Sequence, residues 1–211
     1  MPVPSIVVFD LGKVLVDFDY QIAIQKITAR SSVNSCEVQK LIDESPLLCR
    51  YETGSITTEM FFDEAQKGSG FSGDLMEFGA LFSDIFSPIE PMIEFQAALR
   101  EQGISTYIFS NTNELAVKHI RERFPFFKTF SDYIFSYEHG AMKPDEKLYR
   151  VVEKISGCRG EEILYLDDRA ENIEAGKKLG WQTVWHQTPA KTLRSVFESG
   201  LRWNGTPSNG I

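Results

Sequence analysis

Ser5-Ile6-Val7-Val8-Phe9-Asp10-Leu11-Gly12-Lys13-Val14-Leu15 is the stretch on which the fold turns. Residues 5–9 form a short run of β-branched and aromatic side chains, and that length and Val content favour a strand buried on both faces. The run ends on a carboxylate. An Asp leaving a buried strand stands at the sheet edge where α/β proteins bind ligands. Gly12 lets the chain turn sharply beside it and brings main-chain groups close to a ligand. Taken alone, Asp-x-Gly after a strand is more often just a turn, so the rest of the chain has to decide.

Three later runs look like the first: 105–109, 162–166 and 183–185. Helical stretches with recognisable ends lie between them. Glu90-Pro91 opens one, with Met92, Phe95 and Leu99 on one face and Gly103 just past its end. Another begins near Asn113 and brings Leu115, His119 and Ile120 together. A third covers 170–179, with Gly180 beyond it as the C′ residue. Strands alternating with helices over 90–188 predict an α/β fold with a doubly wound, mainly parallel, Rossmann-like sheet.

Between about Asp19 and Ser87 the alternation stops. Helical segments are expected at 20–29, 37–43, 58–66 and 75–86, with little convincing strand among them, and Met76, Phe78, Phe82 and Phe86 read as their apolar core. The predicted organisation is an α/β core of residues 1–17 and 88–203, with an inserted helical cap at 18–87 above the carboxyl ends of the strands. Trp181 and Trp185 are expected in or near the main core. Residues 204–211 carry turn residues and no core, and are expected to be a disordered tail.

Composition bounds what such a protein does. With 211 residues, 42% hydrophobic and 25% charged, the chain is an ordinary globular one. A net charge of −8 and no Lys/Arg stripe leave no footprint for nucleic acid. No apolar run approaches the roughly 20 residues that cross a bilayer, and no basic segment of a secretory signal precedes residue 6. Cys36, Cys49 and Cys158 are scattered and odd in number, as reduced thiols would be. A cytoplasmic protein is expected, with monomer and homodimer both open. An acidic protein that binds phosphate needs a local cation or a metal.

Such groups recur at the later strand ends. Ile108-Phe109-Ser110-Asn111-Thr112 places hydroxyls and an amide just before a helix, where at least one residue caps and where the Ser110 hydroxyl and nearby N–H groups can hold phosphate oxygens. Ala141-Met142-Lys143-Pro144-Asp145 puts one ammonium in a strand-to-helix loop, with Pro144 expected in the first turn of the helix. Leu164-Tyr165-Leu166-Asp167-Asp168-Arg169-Ala170-Glu171-Asn172 ends a strand on two adjacent carboxylates, which resist joint burial unless a hard cation joins them. Mg²⁺ suits that arrangement, being held by one or two carboxylates while water and phosphate take its other positions. Each signal alone has a plainer reading. Together they bring a candidate nucleophile, a hydroxyl, an ammonium and an acid pair to one side of one sheet.

The ordered set resembles the haloacid dehalogenase superfamily, whose motifs match residues 9–15, 108–112, 143–144 and 164–172, and Tyr51-Glu52-Thr53-Gly54 resembles a cap segment of one of its branches. The resemblance implies that Asp10 is a nucleophile forming an aspartyl-phosphate and also a Mg²⁺ ligand, as are the Gly12 carbonyl and Asp168. Asp167 would ligate the ion or orient a water bound to it. Ser110 and Asn111 would hold the phosphoryl group, Lys143 would pair with Asp10 and the phosphate, and Asn172 would support the ligands from behind. Glu52 would face the substrate from the cap. A phosphorylated small molecule would be the partner.

Gly12 departs from the pattern, because many phosphatases of the superfamily carry an Asp there that protonates the leaving oxygen and then activates water. General acid–base help is worth about 10²–10⁴-fold. Three explanations stay open: a substrate with a good leaving group such as a sugar 1-phosphate, a substitute proton source in Glu52 or Asp17, or ligand binding with little turnover. The sequence after Gly12, Val-Leu-Val-Asp-Phe-Asp, resembles a sugar-1-phosphate phosphatase group of the superfamily. A 2-haloacid dehalogenase is the alternative chemistry, against which the acid pair argues.

Overall fold

The chain begins with β1 (Ile6–Phe9) and β2 (Val16–Phe18) in a computed structural model that describes residues 2–43 and 45–204. Five helices follow: α1 (Tyr20–Thr28), α2 (Ser35–Asp43), α3 (Leu47–Glu52), α4 (Thr58–Ser69) and α5 (Leu75–Ser83). The chain returns through β3 (Phe86–Pro88) and α6 (Glu90–Glu101). Alternation then sets in with β4 (Ser105–Ser110), α7 (Glu114–Arg123), β5 (Asp132–Phe135), α8 (Ser136–His139), α9 (Glu146–Ser156), β6 (Ile163–Asp167), α10 (Ala170–Lys178), β7 (Gln182–Trp185) and α11 (Pro189–Glu198).

The five-stranded sheet runs β5-β4-β1-β6-β7, and every pairing in it is parallel. β1 is the central strand, with Phe9 opposite Ile108 on one side and Leu166 on the other. The order reverses at β1, so the crevice between β1 and β6 is the switch point where doubly wound sheets bind ligands. Both faces of β1 are covered. Val7 and Phe9 pack with Met92, Phe95 and Leu99, whereas Ile6 and Val8 pack with Phe109, Tyr149 and Trp181. Full burial on both sides explains why the strand reads as a continuous apolar run without alternation.

The five helices between β2 and β3 have an apolar cluster of their own, including Ile24, Tyr51, Phe61, Phe78 and Phe82. Their two ends meet where β2 and β3 pair antiparallel, Val16 opposite Pro88 and Phe18 opposite Phe86. Asp74 and Glu77 form a capping box at the start of α5. Among the described residues, no helix is long and apolar enough to cross a membrane.

Several expectations need correction. The stretch expected to hold little strand ends in β3, which pairs with β2 just ahead of it, so α5 stops at Ser83 and Phe86 lies in a strand. α3, only six residues long, is too short to show a period. β5 was not expected either; its four residues, half exposed at the sheet edge, have no long apolar run to mark them. Pro144 precedes the cap of α9 rather than lying in its first turn: Asp145 is the N-cap and accepts from Lys147 N. Met76 is 80% exposed and Trp185 51% exposed, so neither belongs to a core, whereas Trp181 is buried. Residues 205–211 of the expected tail lie outside the described residues.

Candidate active site

Asp10 comes directly off the central strand, its N–H donating to Leu166 O at 2.8 Å. Its carboxylate accepts from Leu11 N at 2.7 Å and lies 3.0 Å from Lys143 Nζ. Ser110 closes β4, Asp167 closes β6 with Asp168 just beyond it, and Lys143 enters from the loop between α8 and α9. Carboxylate oxygens of Asp10, Asp167 and Asp168 all lie within 4.8 Å of one another.

Lys143 is almost wholly buried, at 5% exposure. Its ammonium has three donors, and the protein engages all of them: Asp10 Oδ1 at 3.0 Å, Asp167 Oδ2 at 2.7 Å and Phe109 O at 2.9 Å. Burial disfavours this charge, but the Asp10 and Asp167 carboxylates outweigh it and raise the ammonium above its ordinary range. The carboxylates divide in consequence. Burial pushes the Asp10 carboxyl up to about 7, with Lys143 opposing and Asp167 and Asp168 adding to the rise. Asp167 is buried too, yet Lys143 and the Tyr165 hydroxyl overcome that and hold it below the usual range. Asp168 is raised by its own burial and by Asp167.

Asp167 is therefore the most heavily braced of the three. It accepts from Lys143, Tyr165 OH, Arg169 N and Asn172 Nδ2. Asp168 is half-buried, and Trp185 Nε1 fixes its backbone by donating to Asp168 O at 2.8 Å. Tyr165 had a legible signal, since it lies two residues before Asp167 on the same strand face. Trp185 had none.

Asn111 braces the lysine. Its Nδ2 donates to Lys143 O at 3.0 Å, and its Oδ1 accepts from Lys143 N at 2.7 Å. The side-chain amide thus fixes the loop that carries the ammonium, while the Ser110 hydroxyl makes only a 3.3 Å contact with Asn111 O. Ser136, which the sequence did not single out, ties this region together. It accepts from Thr112 N at 2.9 Å and donates to Glu52 O at 2.6 Å, pinning the end of α3 onto the loop after β4.

These groups surround a cavity of about 260 Å³. Asp10, Gly12, Ser110, Lys143 and Asp168 line it, and Phe18, Tyr20, Leu48, Phe86 and Met142 supply apolar wall. Glu52 lines it as well, and burial pushes its carboxyl up to about 7 against the opposing pull of Asn113 and Arg169. Asp17 is a poor proton source by contrast. It is exposed and tied to Lys13 Nζ at 2.5 Å, and that hydrogen bond holds its carboxyl below the usual range.

The donor set fits a hard divalent cation. All candidate ligands are oxygens, and three carboxylates face a single ammonium, a charge excess that a cation relieves. Asn172 Nδ2 is spent on Asp167 at 3.0 and 3.1 Å, leaving its buried Oδ1 without a protein partner at the cavity wall. An acceptor so placed suits a water bound to an ion. Among the described residues no histidine or cysteine joins a cluster of this kind.

A model of haloacid dehalogenase-like hydrolases matches residues 4–180. A D-ribitol-5-phosphate phosphatase from Bacteroides thetaiotaomicron is 25% identical over 186 residues, spanning 84% of this chain and 89% of the relative. The crystal structure of a haloacid dehalogenase family enzyme from the same organism, in complex with magnesium and inorganic phosphate, superposes with a TM-score of 0.76 at 21% identity, covering 88% of this chain and 95% of that one. L-2-haloacid dehalogenase from Xanthobacter autotrophicus, with chloropropionic acid covalently bound, gives 0.61 at 16% identity over 86% and 77% of the two chains. At such identities the superpositions speak for the fold.

Proposed function

This chain belongs to the haloacid dehalogenase-like hydrolases, and from that premise we propose that it is a Mg²⁺-dependent phosphomonoesterase of small phosphorylated metabolites, sugar or polyol phosphates foremost. The observation that carries the reading is the cluster of Asp10, Asp167 and Asp168 within 4.8 Å around one fully engaged lysine. A site that only displaced halide would have no use for a third carboxylate in such company.

In this reading Asp10 attacks phosphorus, the bond to the leaving oxygen breaks, and an aspartyl-phosphate forms that water later cleaves. Asp10, Asp168 and the Gly12 carbonyl hold Mg²⁺, which when bound neutralises charge on the phosphoryl oxygens. Asp167 keeps Lys143 in place, and Lys143 offsets negative charge at Asp10. Ser110 and the N–H groups after β4 hold phosphoryl oxygens, and Asn111 acts chiefly by bracing Lys143. Positioning and charge neutralisation supply most of the acceleration.

The cavity volume of about 260 Å³ supports a metabolite rather than a polymer. Glu52 and Asn113 at its wall would accept and donate to hydroxyls of the leaving group, and the similarity to a ribitol-phosphate phosphatase points the same way. The test is phosphate release from a panel that includes glucose 1-phosphate and ribitol 5-phosphate. Release should require Mg²⁺, vanish in EDTA and vanish in Asp10→Asn. Halide release from 2-chloropropionate without metal would favour a dehalogenase. A Mg²⁺-dependent thermal shift by phosphate esters with no turnover would leave a binding protein.

A further inference from the structure

The space beside Gly12 is already taken. A β-carbon there would lie 2.8 Å from Phe18 Cε1, and Gly12 is not in the left-handed region, so contact with the ring is what excludes a side chain. The ring is held on several sides. Tyr20 packs edge-on at 5.6 Å, Phe86 lies tilted at 6.0 Å, and the Lys13 ammonium sits 4.6 Å from its centroid. Lys13 is fixed in turn by Asp17 at 2.5 Å and Phe18 O at 2.8 Å. Phe18 lines the same cavity as Asp10. Where an acid–base group would stand two residues after the nucleophile, a hydrocarbon ring stands instead.

Two other carboxylates near the site are committed elsewhere. Asp167 is saturated by Lys143, Tyr165, Arg169 and Asn172. Asp17 belongs to Lys13, while Glu52 lines the cavity from α3 beside Asn113 and Arg169. Resting on the phosphomonoesterase reading above, we infer that Phe18 is a positioning residue that keeps general acid–base help away from Asp10, so that the covalent phospho-Asp10 form accumulates during turnover. In the first half-reaction an Asp10 oxygen bonds to phosphorus while the bond to the leaving oxygen breaks, and that oxygen departs with its electron pair; nitrophenolate leaves so without a proton, whereas an alcohol oxygen takes one from solvent. In the second half-reaction a water oxygen bonds to phosphorus, the bond to Asp10 breaks, and the proton of that water passes to solvent without a base to take it. Lacking that base slows the second half by about 10²–10⁴-fold.

The experiment is rapid mixing of the full chain with p-nitrophenyl phosphate and Mg²⁺, followed by mass spectrometry of acid-quenched protein. A burst of nitrophenolate approaching one per chain is expected, together with protein heavier by one phosphoryl group. Turnover without a burst overturns the inference alone, as does a burst without the covalent adduct. No nitrophenolate at all overturns the phosphomonoesterase reading, and this inference with it. The double variant Gly12→Asp with Phe18→Ala supplies both carboxylate and room, and should abolish the burst while raising the steady-state rate about 10²–10⁴-fold. Gly12→Asp alone, lacking the room, should keep the burst. A burst that appears only in Glu52→Gln would make Glu52 the base and overturn the role given to Phe18.

Discussion

Glu52→Gln should raise the stability of this protein at pH 8 and barely change it at pH 4.5. The backbone that carries the Glu52 carboxyl is fixed from two sides. Its own carbonyl accepts from Ser136 Oγ at 2.6 Å, and Leu115 N donates to the hydroxyl of the preceding Tyr51 at 3.2 Å. Held there, the carboxyl is pushed by burial from 4.5 to about 7, and Asn113 and Arg169 offset only part of that. At about 1.4 kcal/mol per pH unit, ionising Glu52 in the folded state costs roughly 3 kcal/mol. Between 4.5 and about 7 the folded protein binds more protons at this site than the unfolded chain does. Stability therefore falls as pH rises through that window and levels off above it. Glutamine has the shape of the neutral acid and no proton to lose. Urea unfolding of both proteins at several pH values from 4.5 to 8 checks this, because all other titrating groups cancel in the difference. The variant should be more stable by roughly 3 kcal/mol at pH 8 and by less than about 0.5 kcal/mol at pH 4.5. A difference independent of pH, or a variant less stable at pH 8, would refute the desolvation of Glu52.

The remaining predictions concern the packing and charge around the same site. Lys143→Met leaves Asp10 and Asp167 buried without their shared cation, so in EDTA at pH 7 urea unfolding should register a loss of about 3–5 kcal/mol; a loss below 1 kcal/mol would mean the pair is solvated. Gly54 has φ +70 and its β-carbon would lie 2.0 Å from Tyr137 O, so Gly54→Ala should cost about 2–4 kcal/mol in the same measurement. Near-neutral behaviour would show that the α3–α4 turn is not seated on the loop at Tyr137. Mg²⁺ at one hundred times its Kd should stabilise the wild-type protein by about 2.7 kcal/mol. Asp168→Asn should lose most of that gain in a thermal melt, and an unchanged Mg²⁺ response would remove Asp168 from the ligand set.

What the sequence determined by itself is most of the sheet and which polar groups gather at its edge. Residues 6–9 read as a central strand because burial on both faces leaves an unbroken apolar run, and strand–helix alternation after residue 90 implies parallel pairing. Asp10, Ser110 and the Asp167–Asp168 pair were legible because each closes or follows a strand, which fixes its side of the sheet without knowledge of long-range contacts; Lys143 lies instead in a loop between two helices, α8 and α9, not in the strand-to-helix loop expected of it. β2, β3, β5 and α3, three to six residues long, escaped because none is a continuous buried apolar run like β1, and partners distant in sequence hold them in place. The division of labour within the site was equally hidden. Asn111 turns its amide to the Lys143 backbone, Asp167 is braced while Asp168 is left freer, and Asp17 is tied to Lys13 while the backbone of Glu52 is pinned by Ser136. Each of these depends on a contact between separate loops, and local sequence carries no record of such contacts. Gly12 shows the boundary most clearly. Its missing carboxylate is plain in the sequence, but only the tertiary structure places the ring of Phe18 in the vacated space, because the approach depends on how β2 and β3 pair.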